Sequence, residues 1–164
     1  MTESDLQEFC DSALKRGDIE AAFNACDNYI SANPLSAKGF RKRAGLHAKE
    51  NEFEKAIKDI DEAIRIRPDE SSYYFFRGWW KVELGDFIGA ETDQTSAIKL
   101  EDEYSLSSVR ESAYFFRAVA LLHLGRYEEA LSDCKNIRDD FLIYLNRLGK
   151  VTKAGIVSEA NGHR

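Results

Sequence analysis

The stretch SAKGFRKRAGLHAKENEFEKAIKDIDEAIRIRP, residues 36–68, carries two helical patterns separated by a stop signal. Phe40, Arg43, Ala44 and His47 recur at helical spacing and give a first helix one inward face. Glu50-Asn51 ends that helix, because asparagine tolerates the left-handed conformation that a helix C-terminus uses. A second helix is expected from about Phe53 to Ile66, burying Ala56, Ile57, Ile60, Ala63 and Ile64. Pro68 cannot continue it and biases Arg67 away from helical angles. The alanines let two antiparallel helices approach closely, so the unit is a helical hairpin.

The same unit recurs along the chain. Ala22, Ala56 and Ala90 are 34 residues apart, and Ala130 follows after 34 plus 6. A bend residue stands five positions before each: Gly17, Asn51, Gly85 and Gly125. A hydrophobic residue follows each bend by two (Ile19, Phe53, Phe87, Tyr127), and a small residue precedes it by seven (Cys10, Ala44, Gly78, Ala118). Pro34 and Pro68 close the first two units, with Asp102 in that place in the third. Such a period marks an array of helix-turn-helix units that each bury a face against their neighbours.

The third unit, YYFFRGWWKVELGDFIGAETDQTSAIKL, and the fourth, SAYFFRAVALLHLGRYEEALSDC, resemble the tetratricopeptide repeat family, with LGRYEEA the strongest local string. The resemblance covers about residues 3–138. The first unit departs most, with Leu6 where an aromatic is usual and Tyr29 in place of a small residue, as suits a terminal repeat with one neighbour. The resemblance implies an all-α superhelix, a solenoid of about four repeats: 3–36, 37–70, 71–104 and 111–138, with an insertion at 105–110. It also implies that the first helix of each pair lines a concave groove and that the chain binds other proteins without catalysing a reaction.

Two segments break the period. In EDEYSLSSVR, residues 101–110, the Ser108 to Glu111 spacing is that of a capping box, so the fourth unit's first helix is expected to begin there. After Arg138, the run FLIYLNRLGKVTKAGIVSEANG is expected to form one or two short helices, with no strand anywhere in the chain. Phe141, Ile143, Tyr144 and Leu145 are too apolar for open water, so residues 139–164 are expected to cap the last repeat's apolar face.

Composition narrows the function classes. The net charge is −6, and the first 36 residues hold seven acids against two bases. No basic stripe of the kind that binds phosphates is present, which argues against a nucleic-acid partner. No apolar run approaches the roughly 20 residues of a membrane span. The acidic start MTESDLQEF is unlike a signal peptide. The three cysteines, Cys10, Cys26 and Cys134, form no CxxC and fall at helix-packing positions, so they are expected as buried thiols in a cytoplasmic protein. His47, His123 and His163 belong to no metal-ligand spacing, and no GxSxG, Walker or GxGxxG motif occurs. No catalytic residue, metal or cofactor is expected.

On the family's geometry the groove-facing places run from acidic (Gln7, Glu8, Asp11, Lys15) through basic (Arg41, Lys42, Gly45, Lys49) to aromatic (Phe75, Phe76, Trp79, Glu83, then Phe115, Phe116, Val119, His123). Partner contacts are therefore expected at Arg41, Lys42, Lys49, Phe75, Phe76, Trp79, Phe115, Phe116 and His123, with Trp79 as anchor. Each doubled phenylalanine is expected to divide, one ring buried and one available. A subclass of these repeats clamps the C-terminal carboxylate of chaperones with lysine, asparagine and arginine. The matching places here, Gln7, Asp11, Lys42, Ser72 and Phe76 in units one to three, or Arg41, Gly45, Phe76, Ser112 and Phe116 in units two to four, cannot supply those donors. The resemblance thus implies an adaptor for a protein or peptide. The fourth unit with its tail also resembles small bacterial repeat proteins that neutralise polymorphic toxins by stoichiometric binding, and a structural homodimer is the third alternative.

Overall fold

Four left-handed bends punctuate the chain where the period requires them: φ is +75° at Gly17, +61° at Asn51, +81° at Gly85 and +72° at Gly125. A computed structural model describes residues 1–104 and 109–163, so the 105–108 part of the insertion, with the expected cap at Ser108, lies outside the described residues. The helices between the bends form two compact units, Met1–Asp69 and Glu70–Arg164.

The first unit contains α1 (Glu3–Lys15), α2 (Ile19–Ala32), α3 (Ala37–Lys49) and α4 (Phe53–Ile66). Each starts where a side chain or backbone group satisfies the orphan amides of its first turn. Thr2 and Asp5 form a reciprocal capping box, while Asp18 and Ser36 accept from Ala21 and Gly39. The expected bounds of α4 are met, and Ala56, Ile60 and Ala63 are its buried stripe, with Asp59 buried beside them. Helices α1 and α2 pack together, α2 packs on α3, and α3 on α4.

The second unit contains α5 (Ser71–Leu84), α6 (Phe87–Glu103), α7 (Arg110–His123) and α8 (Tyr127–Cys134), then strands β1 (Leu142–Leu145) and β2 (Gly149–Thr152), and α9 (Lys153–Gly162). Its core centres on α7, where Ala113, Phe115, Phe116, Ala118, Val119, Ala120 and Leu121 are all buried. A helix surrounded on nearly all sides needs that apolar density.

In two of the hairpins, the first and the third, a close contact falls at the small residue before the bend. In the first, Cys10 and Cys26 lie with their sulfurs 3.8 Å apart. In the third, a Cβ at Gly78 would come within 2.6 Å of Gln94 Nε2, so only glycine fits. That amide nitrogen donates to the Phe75 carbonyl at 3.1 Å and fixes the approach.

The tail corrects the expectation of helices alone. Residues 142–152 form an antiparallel β-hairpin, Leu142 opposite Thr152 and Leu145 opposite Gly149, and only α9 is helical. The reason is local: LIYL is a short run whose alternate side chains suit a half-covered strand, and Gly149 adopts φ +71° at the end of a three-residue turn. The alternation also overturns the expected burial of Tyr144, which is 69 % exposed while Leu145 is 3 % exposed. Phe141 and Ile143 are half-buried against the core, and α9 packs on α7 and α8, so the tail does cover the last hairpin.

Candidate interaction surface

The hairpins are locked by a charged clasp that repeats with the period. Arg43 Nε and Nη2 donate to both carboxylate oxygens of Asp59 at 2.8 and 2.7 Å. Arg77 grips Asp93 at 2.9 and 2.6 Å, and Arg117 grips Asp133 at 2.8 and 2.7 Å. Each arginine also stacks over an aromatic ring one turn earlier: Phe40 at 5.8 Å, Tyr74 at 5.6 Å and Tyr114 at 5.4 Å. The bonds to Asp59 and Asp133 hold the Arg43 and Arg117 guanidinium groups well above the ordinary arginine range, against the opposing cost of burial. The corresponding residues of the first hairpin are Phe9 and Ala25, so the terminal repeat lacks the clasp. Sequence reading placed Arg43 on the inward face but missed its partner, although an arginine-to-aspartate spacing of 16 in three units was there to be found. These residues serve architecture, and they remove three arginines from the surface chemistry.

In the first unit, Arg41, Lys42 and Lys49 lie along α3. Lys42 is largely covered and its ammonium lies 3.1 Å from Asp11. The Asp11 carboxyl is held below the usual carboxylate range, first by the Gln7 amide and then by Lys42. Arg41 is half-buried and Lys49 is exposed. The basic character expected here is thus carried outward mainly by Arg41 and Lys49.

In the second unit, α5 and α7 bring the aromatic residues into one cluster. Phe75 meets Phe116 edge-on with centroids 5.7 Å apart, and Trp79 lies 5.4 Å from Phe116. Phe76 stacks on Trp80 at 5.9 Å. The division expected of the phenylalanine pairs has one ring buried and one available; Phe75 is buried, and Phe76 is half-buried and stacked on Trp80. The division fails for Phe115 and Phe116, both fully buried, because α7 is covered by α5 and α6 on one side and by the tail on the other. Phe141 from the tail sits 4.7 Å from Phe115 and closes that side. Trp79 is half-buried, and its indole Nε1 is buried with no acceptor among the described residues. His123 is exposed, stacked on Phe87 at 4.2 Å, with Nδ1 3.0 Å from the Val119 carbonyl. A carbonyl can only accept, so that contact puts a proton on Nδ1.

Glu83 had been placed among the groove-facing residues, and the chain itself occupies it. Its carboxylate accepts the backbone N–H of Asn146 at 3.1 Å and of Arg147 at 3.0 Å, which pins the tip of the β-hairpin to the end of α5. Beside the hairpin, α7, β2 and α9 line a cavity of about 260 Å³ that is open to solvent. Nothing in the repeat period announces either feature, since both are built by the segment outside it.

Among the described residues, no group of three or more histidine, cysteine, aspartate or glutamate side chains could hold a metal ion. No helix among them is long and apolar enough to cross a membrane.

Repeated hairpins of this length, with bends, small-residue contacts and clasps in register, define an all-helical repeat fold. A tetratricopeptide repeat profile matches residues 9–71 and 81–138, and the chain belongs to the tetratricopeptide repeat family. It is 31 % identical over 121 residues to the translocon at the outer membrane of chloroplasts 64 of Pisum sativum, covering 74 % of this chain but only 19 % of that protein. Among solved structures, a MamA protein aligns over 82 % of this chain and 70 % of its own, with a TM-score of 0.71 at 16 % identity. The TPR2B domain of yeast Sti1, solved as a pHsp70 complex, aligns over 74 % of this chain and 97 % of its own, with a TM-score of 0.67 at 20 % identity. The fold these share is generally a non-catalytic scaffold for protein interactions.

Proposed function

We propose that the chain is a non-catalytic interaction module that binds a protein or peptide partner on the first helices of its hairpins. The observation that carries the reading is family membership joined to the disposition of the side chains: the interior is committed to clasps and packing, and Arg41, Lys49, Phe76, Trp79 and His123 are left at or near the surface. The resemblance to a Sti1 domain solved as a pHsp70 complex supports binding of a polypeptide. A chaperone carboxylate clamp is not proposed, because the only lysine at its places, Lys42, is already paired with Asp11. Three free buried thiols suit a cytoplasmic setting.

Trp79 is the proposed anchor in the second unit, and Arg41 with the exposed Lys49 guides an acidic stretch of the partner in the first, since Lys42 is held by Asp11. Basic rim residues act mainly on the association rate and its salt dependence. The test is recovery of a partner with the intact protein, then quantitation with Trp79→Ala and with Arg41→Glu plus Lys49→Glu, each first shown to be folded by circular dichroism. Anchor truncation should cost about 2 kcal/mol or more, roughly thirtyfold in affinity. Undiminished binding by both variants would refute the first-helix surfaces. Neutralisation of a toxin would use the same surfaces with a folded partner, and a homodimer would fill them with a second copy. The mass of the recovered complex separates these outcomes.

A further inference from the structure

The β-hairpin has one edge that the protein leaves open beside a cavity. The Lys153 N–H donates to the Phe141 carbonyl at 3.2 Å, which makes that pair a hydrogen-bonded one. The register then makes Ile143 with Val151 and Leu145 with Gly149 hydrogen-bonded pairs, while Tyr144 with Lys150 and Leu142 with Thr152 are the alternate, non-bonded pairs. The backbone N–H groups of Lys150 and Thr152, and the Lys150 carbonyl, are therefore directed away from β1. Among the described residues no third strand takes them up.

The same residues of β2, Lys150 and Thr152 with Val151 between them, border the cavity of about 260 Å³. Its floor is apolar and buried, formed by Val119 and Leu122 of α7 and Ile156 of α9. Its rim carries three exposed polar side chains, His123, Lys150 and Glu159. Among the described residues neither the Lys150 ammonium nor the Glu159 carboxylate has an ion-pair partner. The volume lies below the roughly 300–1,000 Å³ of small-molecule pockets and suits a single aliphatic side chain with part of its backbone.

We infer that β2 is a docking edge for an extended segment of a partner protein, which adds a third strand and buries one aliphatic side chain in the cavity. Main-chain bonds to Lys150 and Thr152 supply affinity, and the pocket supplies selectivity, the division of labour expected when a strand is added to a sheet edge. The unpaired Lys150 selects a segment with an acidic residue within two positions of the aliphatic one. The inference rests on the reading of the chain as an interaction module but uses a face built by the tail. It can therefore fail while the first-helix surfaces stand.

The probe is a displayed library of random dodecapeptides selected on the intact protein, with the enriched peptide then synthesised. An aliphatic residue with an acidic neighbour should be enriched, and the peptide should shift the amide resonances of Lys150 and Thr152 more than those of Ile143 or Val151. N-methylation at alternate peptide positions should weaken binding tenfold or more in one register and little in the other. Lys150→Glu should weaken it about fivefold, while Trp79→Ala leaves it unchanged. No enrichment, shifts elsewhere, or equal tolerance of N-methylation at every position would overturn the inference. Loss on Trp79→Ala with retention on Lys150→Glu would do the same and favour the first-helix surfaces. Concentration-dependent shifts at Lys150 without peptide would assign the edge to a second copy of the chain and also overturn it.

Discussion

Truncating Arg117 and Arg77 to alanine should give unequal losses of stability, although the two occupy the same place in successive repeats. Asp133 is 5 % exposed and takes both its charged hydrogen bonds from Arg117. Removing that guanidinium leaves a buried carboxylate without compensation, which typically costs about 3–5 kcal/mol. The Tyr114 contact adds about 0.5–1 kcal/mol, and water entering the vacated, partly exposed site offsets a similar amount. The expected loss for Arg117→Ala is therefore about 3 kcal/mol, the lower end of that range because the site is partly exposed, or roughly 12–24 °C in the midpoint of a unit of this size. Asp93 differs because Lys81 Nζ lies 2.8 Å from its second oxygen. Arg77→Ala leaves that charge paired, and the expected loss falls to about 1–2 kcal/mol.

The assay is urea unfolding followed by tryptophan fluorescence, which reports on the second unit alone because Trp79 and Trp80 both lie in α5. Two controls sharpen it. Arg117→Lys keeps the charge but loses the bidentate fork, and should fall between wild type and alanine. Arg117→Met with Asp133→Leu removes both charges and should recover most of the loss, since replacing a buried pair by apolar groups is often neutral. Equal losses for Arg77→Ala and Arg117→Ala, or a double variant no better than Arg117→Ala, would refute the account of these clasps.

Two further outcomes follow from the same structure. Glu83→Gln keeps the shape but offers one acceptor to two backbone donors, so the Asn146 and Arg147 amides should exchange faster and stability should fall by about 1–3 kcal/mol. Protection unchanged at both amides would mean that the hairpin tip is held by something else. Burial and its neighbour Cys10 push the Cys26 thiol up to about 12, and burial raises Cys134 as well. At pH 8 both stay protonated in the folded state, thiolate rises with pH, and labelling by a thiol reagent should be slow when folded, complete on unfolding and faster at higher pH; prompt labelling of the folded protein at pH 8 would contradict the packing of α1 against α2.

The repeat hairpins were legible because their determinants are local and recur. A residue able to turn left-handed, an alanine five later and a small residue seven earlier each act within one hairpin, and the copies confirm one another. Gly17, Asn51, Gly85 and Gly125 all adopt the conformation that their places demand. The clasp was equally periodic but was hidden by expectation, since an aspartate in the middle of a second helix reads as a solvated charge until its arginine is found. Phe116 is covered by Phe75 and Trp79 of α5, but the burial of Phe115 depended on what lies beyond the period. A helix face that would be open in a bare array is closed by Phe141, and no property of YFFR itself says so.

The tail was misread for a related reason. LIYLNRLGKVT is a segment with a single copy, so there was no second instance against which to decide between a short helix and a strand pair. Its strand alternation and the Gly149 turn are local, and its tip is then held by contacts 63 and 64 residues distant in sequence, where Glu83 receives it. A carboxylate on the outer turn of a repeat helix would ordinarily be free to meet a partner, and here the chain supplies the backbone amides that such a partner would bring. The consequence is a division of labour in the second unit: α5 and α7 give up part of their first-helix surface to hold the hairpin, and the hairpin in return presents an unpaired strand edge beside a cavity that the repeats alone would not make. Binding specificity in this chain is then expected to reside as much in residues 139–163 as in the repeats, and exchanging that tail between related repeat arrays should transfer it.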